Sequence, residues 1–288
     1  MKAYNQKIIE TPTYIEIYDY EAFITPKRKT IEHKMNQERK RQLAWLYDEE
    51  QTIIEKRKTY DELSAQGQYD SLKRKQSYYK NMRFEIARLV DTNFDNQTKF
   101  LTLTFKENIQ DIPYANNEFK KFIKRLNYEI YHTKKAKLKY LATWEKQKRG
   151  AIHYHILLFS FPFVSIDHLT TIWGFGFVKI NKIDVDSIEN RGRYISKYFD
   201  KNLELKEHKQ KAFFKSRNLK LPIVTKKIVS EPYNVSSQNI LYSNKYLVRR
   251  PIFFHTLNDF GLSEKMMDFQ ESTVRYIKIK KTKKKEET

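Results

Sequence analysis

The feature that most constrains this chain is the order in which two residue periods alternate between positions 100 and 184. "FLTLTF" (100–105) alternates Thr with Leu and Phe, the period of a strand with unlike faces. "YANNEFKKFIKRLNYEIYH" (114–132) then places Phe119, Phe122, Ile123, Leu126 and Ile130 at helical spacing, with Asn116 positioned to cap it. Two further strands, "KLKYLATWE" (137–145) and "AIHYHILLFSF" (151–161), flank the short turn "KQKRG". "SIDHLTTIW" (165–173) is a short helix starting at Ser165, and "GFVKINKID" (176–184) is a fourth strand.

The resulting order, β α β β α β, predicts an α+β domain with an antiparallel sheet. Its arrangement is ferredoxin-like, with the third strand seated between the first and the second. Around it, residues 1–94 are expected to form a mainly helical N-terminal region, because 27–90 are polar with scattered apolar positions and Gly67 breaks them into two helices. Residues 95–215 hold the central domain. Residues 216–288 form a basic region of short strands and turns, ending in the Lys-rich tail "KIKKTKKKEET", expected to be disordered.

Two histidines stand one position apart in "GAIHYHILLF", and on a strand such residues share a face, so His153 and His155 point away from Ile152, Tyr154 and Ile156. If "KRG" (148–150) closes a three-residue turn with Gly150 in the left-handed conformation, Gln147 pairs with Ala151 and Glu145 falls opposite His153. A turn one residue shorter or longer would send Glu145 to the other face. A carboxylate and two imidazoles on one patch can hold a divalent ion while leaving positions open. The chain has no cysteine to supply thiolates, so Mg²⁺ or Mn²⁺ is the expected cofactor, with the imidazoles tilting the choice toward Mn²⁺.

A net charge of +21, from 56 Lys and Arg against 35 Asp and Glu, draws polyanions and makes nucleic acid the expected partner. No apolar stretch approaches the roughly 18 residues of a spanning helix, which argues against a membrane partner. The N-terminus lacks a signal-peptide core and cysteine is absent, so the expected location is the cytoplasm. "GRYISKYFDKN" is read as a helix on which Ile195, Phe199 and Leu203 form the core stripe. On it Tyr194 and Tyr198 share a neighbouring face beside Lys197 and Lys201. A phenol with a pKa near 10 is a weak nucleophile at neutral pH, and neighbouring cations favour its phenolate. No phosphate-binding "GxxxxGK" loop occurs, in keeping with an ester exchange that needs no nucleotide.

"FLTLTF", "HYH" and "YISKYFDK", in that order, resemble motifs I, II and III of HUH endonucleases of the rolling-circle replication initiator type. Residues from about 99 to 222, including "KYLATWEKQKRGAIHYHILLF", "IWGFGFVKI" and "SRNLKLP", are similar to the replication proteins of filamentous phages and Gram-positive plasmids. The resemblance implies that His153 and His155 bind the divalent metal and that a nearby polar residue, for which Glu145 is the candidate, completes the site. It implies that tyrosine forms a 5′-phosphotyrosine bond to nicked DNA and leaves a 3′-OH to prime synthesis. Tyr198 maps to the main nucleophile, and Tyr194 to a second nucleophile or a helper. It also implies partners: origin DNA, single-stranded or in a hairpin, and a host helicase and DNA polymerase. A homo-oligomer stays open.

Relaxases generally place their tyrosines before the histidine motif, and single-tyrosine transposases are much shorter than this chain, so both rank behind the initiator. A noncatalytic nucleic-acid binder would want more than the single aromatic near the sheet centre that "FLTLTF" offers. A scaffolding protein built on the N-terminal helices would not account for three motifs in series.

Overall fold

The computed structural model describes residues 3–25, 60–183, 213–235, 239–257 and 263–281. The chain divides into two compact units, one built from residues 11–13 and 73–223, the other from residues 1–10, 14–72 and 224–288. Each has its own antiparallel sheet, and the fold is α+β.

Among the described residues the strands are β1 (Tyr4–Glu10), β2 (Tyr14–Ile24), β3 (Lys99–Thr104), β4 (Lys139–Lys146), β5 (Ile152–Phe159), β6 (Val178–Lys182), β7 (Phe214–Lys215), β8 (Ile223–Lys227), β9 (Ile240–Leu257) and β10 (Ser263–Lys280). The helices among the described residues are α1 (Ala65–Asn93), α2 (Ile112–Tyr131) and α3 (Ile166–Trp173).

The central unit carries the sheet β6-β3-β5-β4-β7, so the third strand of the expected β α β β α β run lies between the first and the second. Strand alternation gives this sheet two unlike faces. On one, Leu101, Leu103, Ala142, Trp144, Ile152, Tyr154, Ile156 and Val178 pack with Phe119, Phe122 and Leu126 of α2 and Leu169 and Trp173 of α3. The Tyr154 ring stacks on Phe119 at 4.5 Å, and its hydroxyl donates to Asn116 Oδ1 (2.8 Å). Burial pushes that phenol well above its ordinary pKa, which removes it as a nucleophile.

Local chemistry sets the helix ends. Asp111 caps α2 by accepting from the Tyr114 amide (3.1 Å), and Ser165 caps α3 by accepting from His168 (3.3 Å). Asn116, expected as the α2 cap, lies inside the helix, because Pro113 fits the first turn and lets α2 begin earlier. On the other face of the sheet, Ile86 and Val90 of α1 cover only the end formed by Leu141, Leu157 and Phe159. The end bearing the histidines lies outside that cluster.

Of the segment expected to be a mainly helical N-terminal region, residues 65–93 form α1, residues 26–59 lie outside the described residues, and the start is a hairpin. Residues 4–24 form the hairpin β1–β2, and β2 pairs with β10 in the sheet β8-β1-β2-β10-β9. In "YIEIYDY" both faces carry rings or aliphatic side chains, so alternation gives no clear signal there, and the strand that completes the pairing lies more than 200 residues downstream. The region after residue 215, expected as short strands and turns, contains two 18-residue strands. One face of this sheet buries Ile8, Ile17, Ile277 and Ile279 against Tyr233 and Val235. Beside that core Asp19 accepts from Gln6 Nε2 (2.8 Å) and from Arg275 Nη2 (2.6 Å). No described helix is long and apolar enough to cross a membrane.

Candidate metal centre

The turn between β4 and β5 decides whether a site exists. The Gln147 amide donates to Ala151 O (2.8 Å), Gly150 N donates to Gln147 O (2.8 Å), and Gly150 has φ of 89°, a conformation that favours glycine. The resulting register puts Glu145 opposite His153 and Thr143 opposite His155. It is the register expected of a three-residue loop. On the other side of β5, Thr104 faces His153 and Thr102 faces His155.

Glu145 Oε1 lies 2.5 Å from His153 Nε2 and 3.0 Å from His155 Nε2, and the ligand-type atoms of all three lie within 4.8 Å of one another. The imidazole rings meet edge to face at 4.7 Å, and His155 stacks on Phe100 at 5.5 Å. Hydrogen bonds first from His153 and then from His155 hold the Glu145 carboxyl well below the usual carboxylate range, against the upward pull of burial. The group is therefore ionised throughout the neutral range, as a cation ligand must be.

The far nitrogens have partners too. Thr102 Oγ1 lies 3.4 Å from His155 Nδ1, and Gln147 Nε2 lies 3.5 Å from His153 Nδ1. Gln147 is itself tied down: its Oε1 accepts from Arg149 Nε (3.1 Å), while Arg149 Nη2 donates to Phe105 O (2.6 Å) at the end of β3. Thr102 Oγ1 can accept from a protonated Nδ1, as the outer partner of a metal-binding imidazole does, whereas the Gln147 amide nitrogen can only donate to His153 Nδ1. The sequence singled out none of Thr102, Arg149 and Phe100 for this site, and gave Gln147 only a place beside the turn. The parity that puts Gln147 on the face of Glu145 was available, whereas the reach of Arg149 across to β3 is tertiary. Lys179, opposite Thr102 on β6, adds an exposed cation to the same face.

A carboxylate and two imidazoles converging on one point, in a patch with only partial solvent exposure, fit a divalent cation. The ring nitrogens suit Mn²⁺, the carboxylate suits Mn²⁺ or Mg²⁺, and several coordination positions are left for other ligands. Tyr194, Lys197, Tyr198 and Lys201 lie outside the described residues.

Residues 98–203 match a family model for replication-associated proteins of the ORF2 type. The chain is also 27% identical over 149 residues to the Phasyl DNA replicon protein arp of Escherichia coli, a match covering 43% of this chain and 50% of that protein. The chain thus spans about half the length of that curated relative. No solved structure matches. Both matches bear names that refer to replication.

Proposed function

We propose that this chain initiates rolling-circle DNA replication by nicking and rejoining single-stranded origin DNA through a 5′-phosphotyrosine intermediate. The observation that carries the reading is Glu145 held between His153 and His155 of the central strand, in a segment that matches replication-associated proteins. The strand order β6-β3-β5-β4 supports treating that segment as a ferredoxin-like HUH nicking domain.

In this reading Glu145, His153 and His155 hold Mg²⁺ or Mn²⁺, which when bound neutralises charge on the oxygens of the scissile phosphate. Thr102, whose hydroxyl can accept from Nδ1, keeps the His155 imidazole aimed. The Tyr198 hydroxyl oxygen attacks phosphorus, the bond from phosphorus to the 3′ oxygen breaks, and the phosphate remains on tyrosine. The phenolic proton passes to solvent and the departing 3′ oxygen takes one, so the exchange is balanced and reversible. Lys197 and Lys201 favour the phenolate by their charge. Tyr194 serves as a second nucleophile or ends the cycle. The partners are origin DNA, a host helicase and a host DNA polymerase.

The test is cleavage of single-stranded origin DNA by the purified chain with Mn²⁺ or Mg²⁺, followed by a denaturing gel. A covalent protein–DNA adduct is expected, lost in Tyr198→Phe. His153→Ala is expected to lose metal-dependent cleavage and keep DNA affinity. An adduct that persists in Tyr198→Phe and vanishes in Tyr194→Phe exchanges the two tyrosines. Persistence in the double variant removes the tyrosine mechanism.

A further inference from the structure

The sheet β8-β1-β2-β10-β9 has a face that the nicking reading does not use. Opposite its isoleucine core, tyrosine rings touch one another in an unbroken path across four strands. Tyr4 of β1 meets Tyr20 of β2 at 5.9 Å, Tyr20 stacks with Tyr18 at 6.3 Å, Tyr18 meets Tyr276 of β10 at 4.9 Å, and Tyr276 meets Tyr242 of β9 at 5.9 Å. Tyr246 follows two residues from Asn244, the register partner of Tyr276, and so shares the face.

Cations lie over these rings. Lys226 is 4.7 Å from the Tyr4 ring, Arg250 5.4 Å from Tyr20 and Lys7 5.6 Å from Tyr18. Among the described side chains, the carboxylates on the same face are Glu16, which is buried and lies 3.5 Å from the Tyr18 hydroxyl, and Asp268. Cross-strand tyrosine pairs by themselves would stabilise a sheet. They do not call for exposure at the β9 edge, where Tyr242 is 53% and Tyr246 40% exposed, nor for a run of cations beside them.

We infer that this tyrosine face binds single-stranded DNA without regard to sequence, bases stacking on Tyr242, Tyr246 and Tyr276 while Arg250, Lys7 and Lys226 meet the phosphates. Flat rings with interleaved cations match a strand whose bases are unpaired, since every base offers a stacking face. A duplex hides those faces, so ring stacking favours an unpaired strand. The inference uses no residue of the proposed nicking site.

The probe is fluorescent oligothymidine, which contains no origin, titrated with the full chain by anisotropy. Tyr242→Leu/Tyr276→Leu, checked for folding by circular dichroism, is expected to weaken binding about tenfold or more, and Tyr242→Phe/Tyr276→Phe to retain it. A second measurement needs no variant: ultraviolet crosslinking of halogenated oligothymidine to the parent chain is expected to label peptides containing Tyr242, Tyr246 or Tyr276. Unchanged affinity in the folded Leu variant, or crosslinks confined to other segments, overturns the inference. Tighter tyrosine-dependent binding to RNA or duplex than to oligothymidine overturns the assigned occupant. The two readings fail separately: tyrosine-dependent binding in a chain that cuts no origin DNA leaves this one standing, and unaltered binding by the Leu variant removes it whatever cleavage shows.

Discussion

The two five-stranded antiparallel sheets differ in where along the chain their strands come from. In the central sheet, β3 to β6 all lie between Lys99 and Lys182; β4 and β5 pair as a hairpin, and β3 pairs with β5 and with β6 across the intervening elements. In the other, β2 near the N-terminus pairs with β10 near the C-terminus, Ile17 facing Ile277. The first closes over shorter loops, whereas the second must close a loop of some 250 residues before its two hairpins can join through β2 and β10, a cost in chain entropy that slows folding. Their faces differ as well. The central sheet sets two imidazoles and a carboxylate against a helix-covered core, and the other sets tyrosines and cations against isoleucines. Chemistry on the opposite faces distinguishes them, beside the deeper burial of the central core.

The largest effect expected from a single change is on ion binding. Glu145→Ala should weaken Mn²⁺ binding about a hundredfold or more by isothermal titration, since both imidazoles lose their shared partner, whereas Asp19→Ala in the other sheet should leave it unaltered. Equal Mn²⁺ affinity in the Glu145→Ala chain would erase the chemical contrast between the sheets.

Core truncations come next. Phe119→Ala should cost about 3–5 kcal/mol and Ile17→Ala about 2–4 kcal/mol in denaturant titrations, because both side chains are fully buried. Hydrogen exchange should show the first loosening β3–β6 and the second loosening β1, β2 and β10. A uniform loss of protection across both sheets would show that they fold as one.

Gly176→Ala sharpens the comparison at one point of the central sheet. An added Cβ would stand 2.5 Å from Lys106 N and 2.6 Å from Thr104 O, backbone that cannot yield cheaply, and φ is 150°. A loss of about 2–3 kcal/mol is expected by thermal melting.

The smallest expected effect is pH-dependent. Burial would raise the Asp95 carboxyl, but hydrogen bonds from Ser160 and Thr98 outweigh it and lower the pKa. A carboxyl with a lowered folded-state pKa adds stability above its unfolded value and loses it as pH falls through the folded one. The stability difference between the parent chain and Asp95→Asn should therefore be full at neutral pH and shrink in acid, read from urea midpoints.

Much of the central unit was legible because its signals are local. Period-two and helical spacing gave the strands and α2, Ser165 gave the α3 cap, and the KRG loop fixed the parity that put Glu145 opposite His153. The α2 start was misplaced because Asn116 and Asp111 are both acceptable caps by type, and only the fold shows Asn116 engaged by Tyr154. The other unit was less legible for a different reason. Its strands carry large side chains on both faces, and although β1 with β2 and β9 with β10 are hairpins, the pairing of β2 with β10 that joins them links segments more than 200 residues apart.

By itself the sequence determined the charge that favours a polyanion, the order of elements between residues 99 and 182, and the register of one hairpin, all of which depend on residues a few positions apart. Tertiary structure alone decided that Thr102 and Gln147 reach the imidazoles, that α1 covers one end of the site's face, and that the chain's two ends join in a tyrosine-lined sheet. Such outcomes depend on which distant surfaces meet, and spacing along a chain carries no record of that.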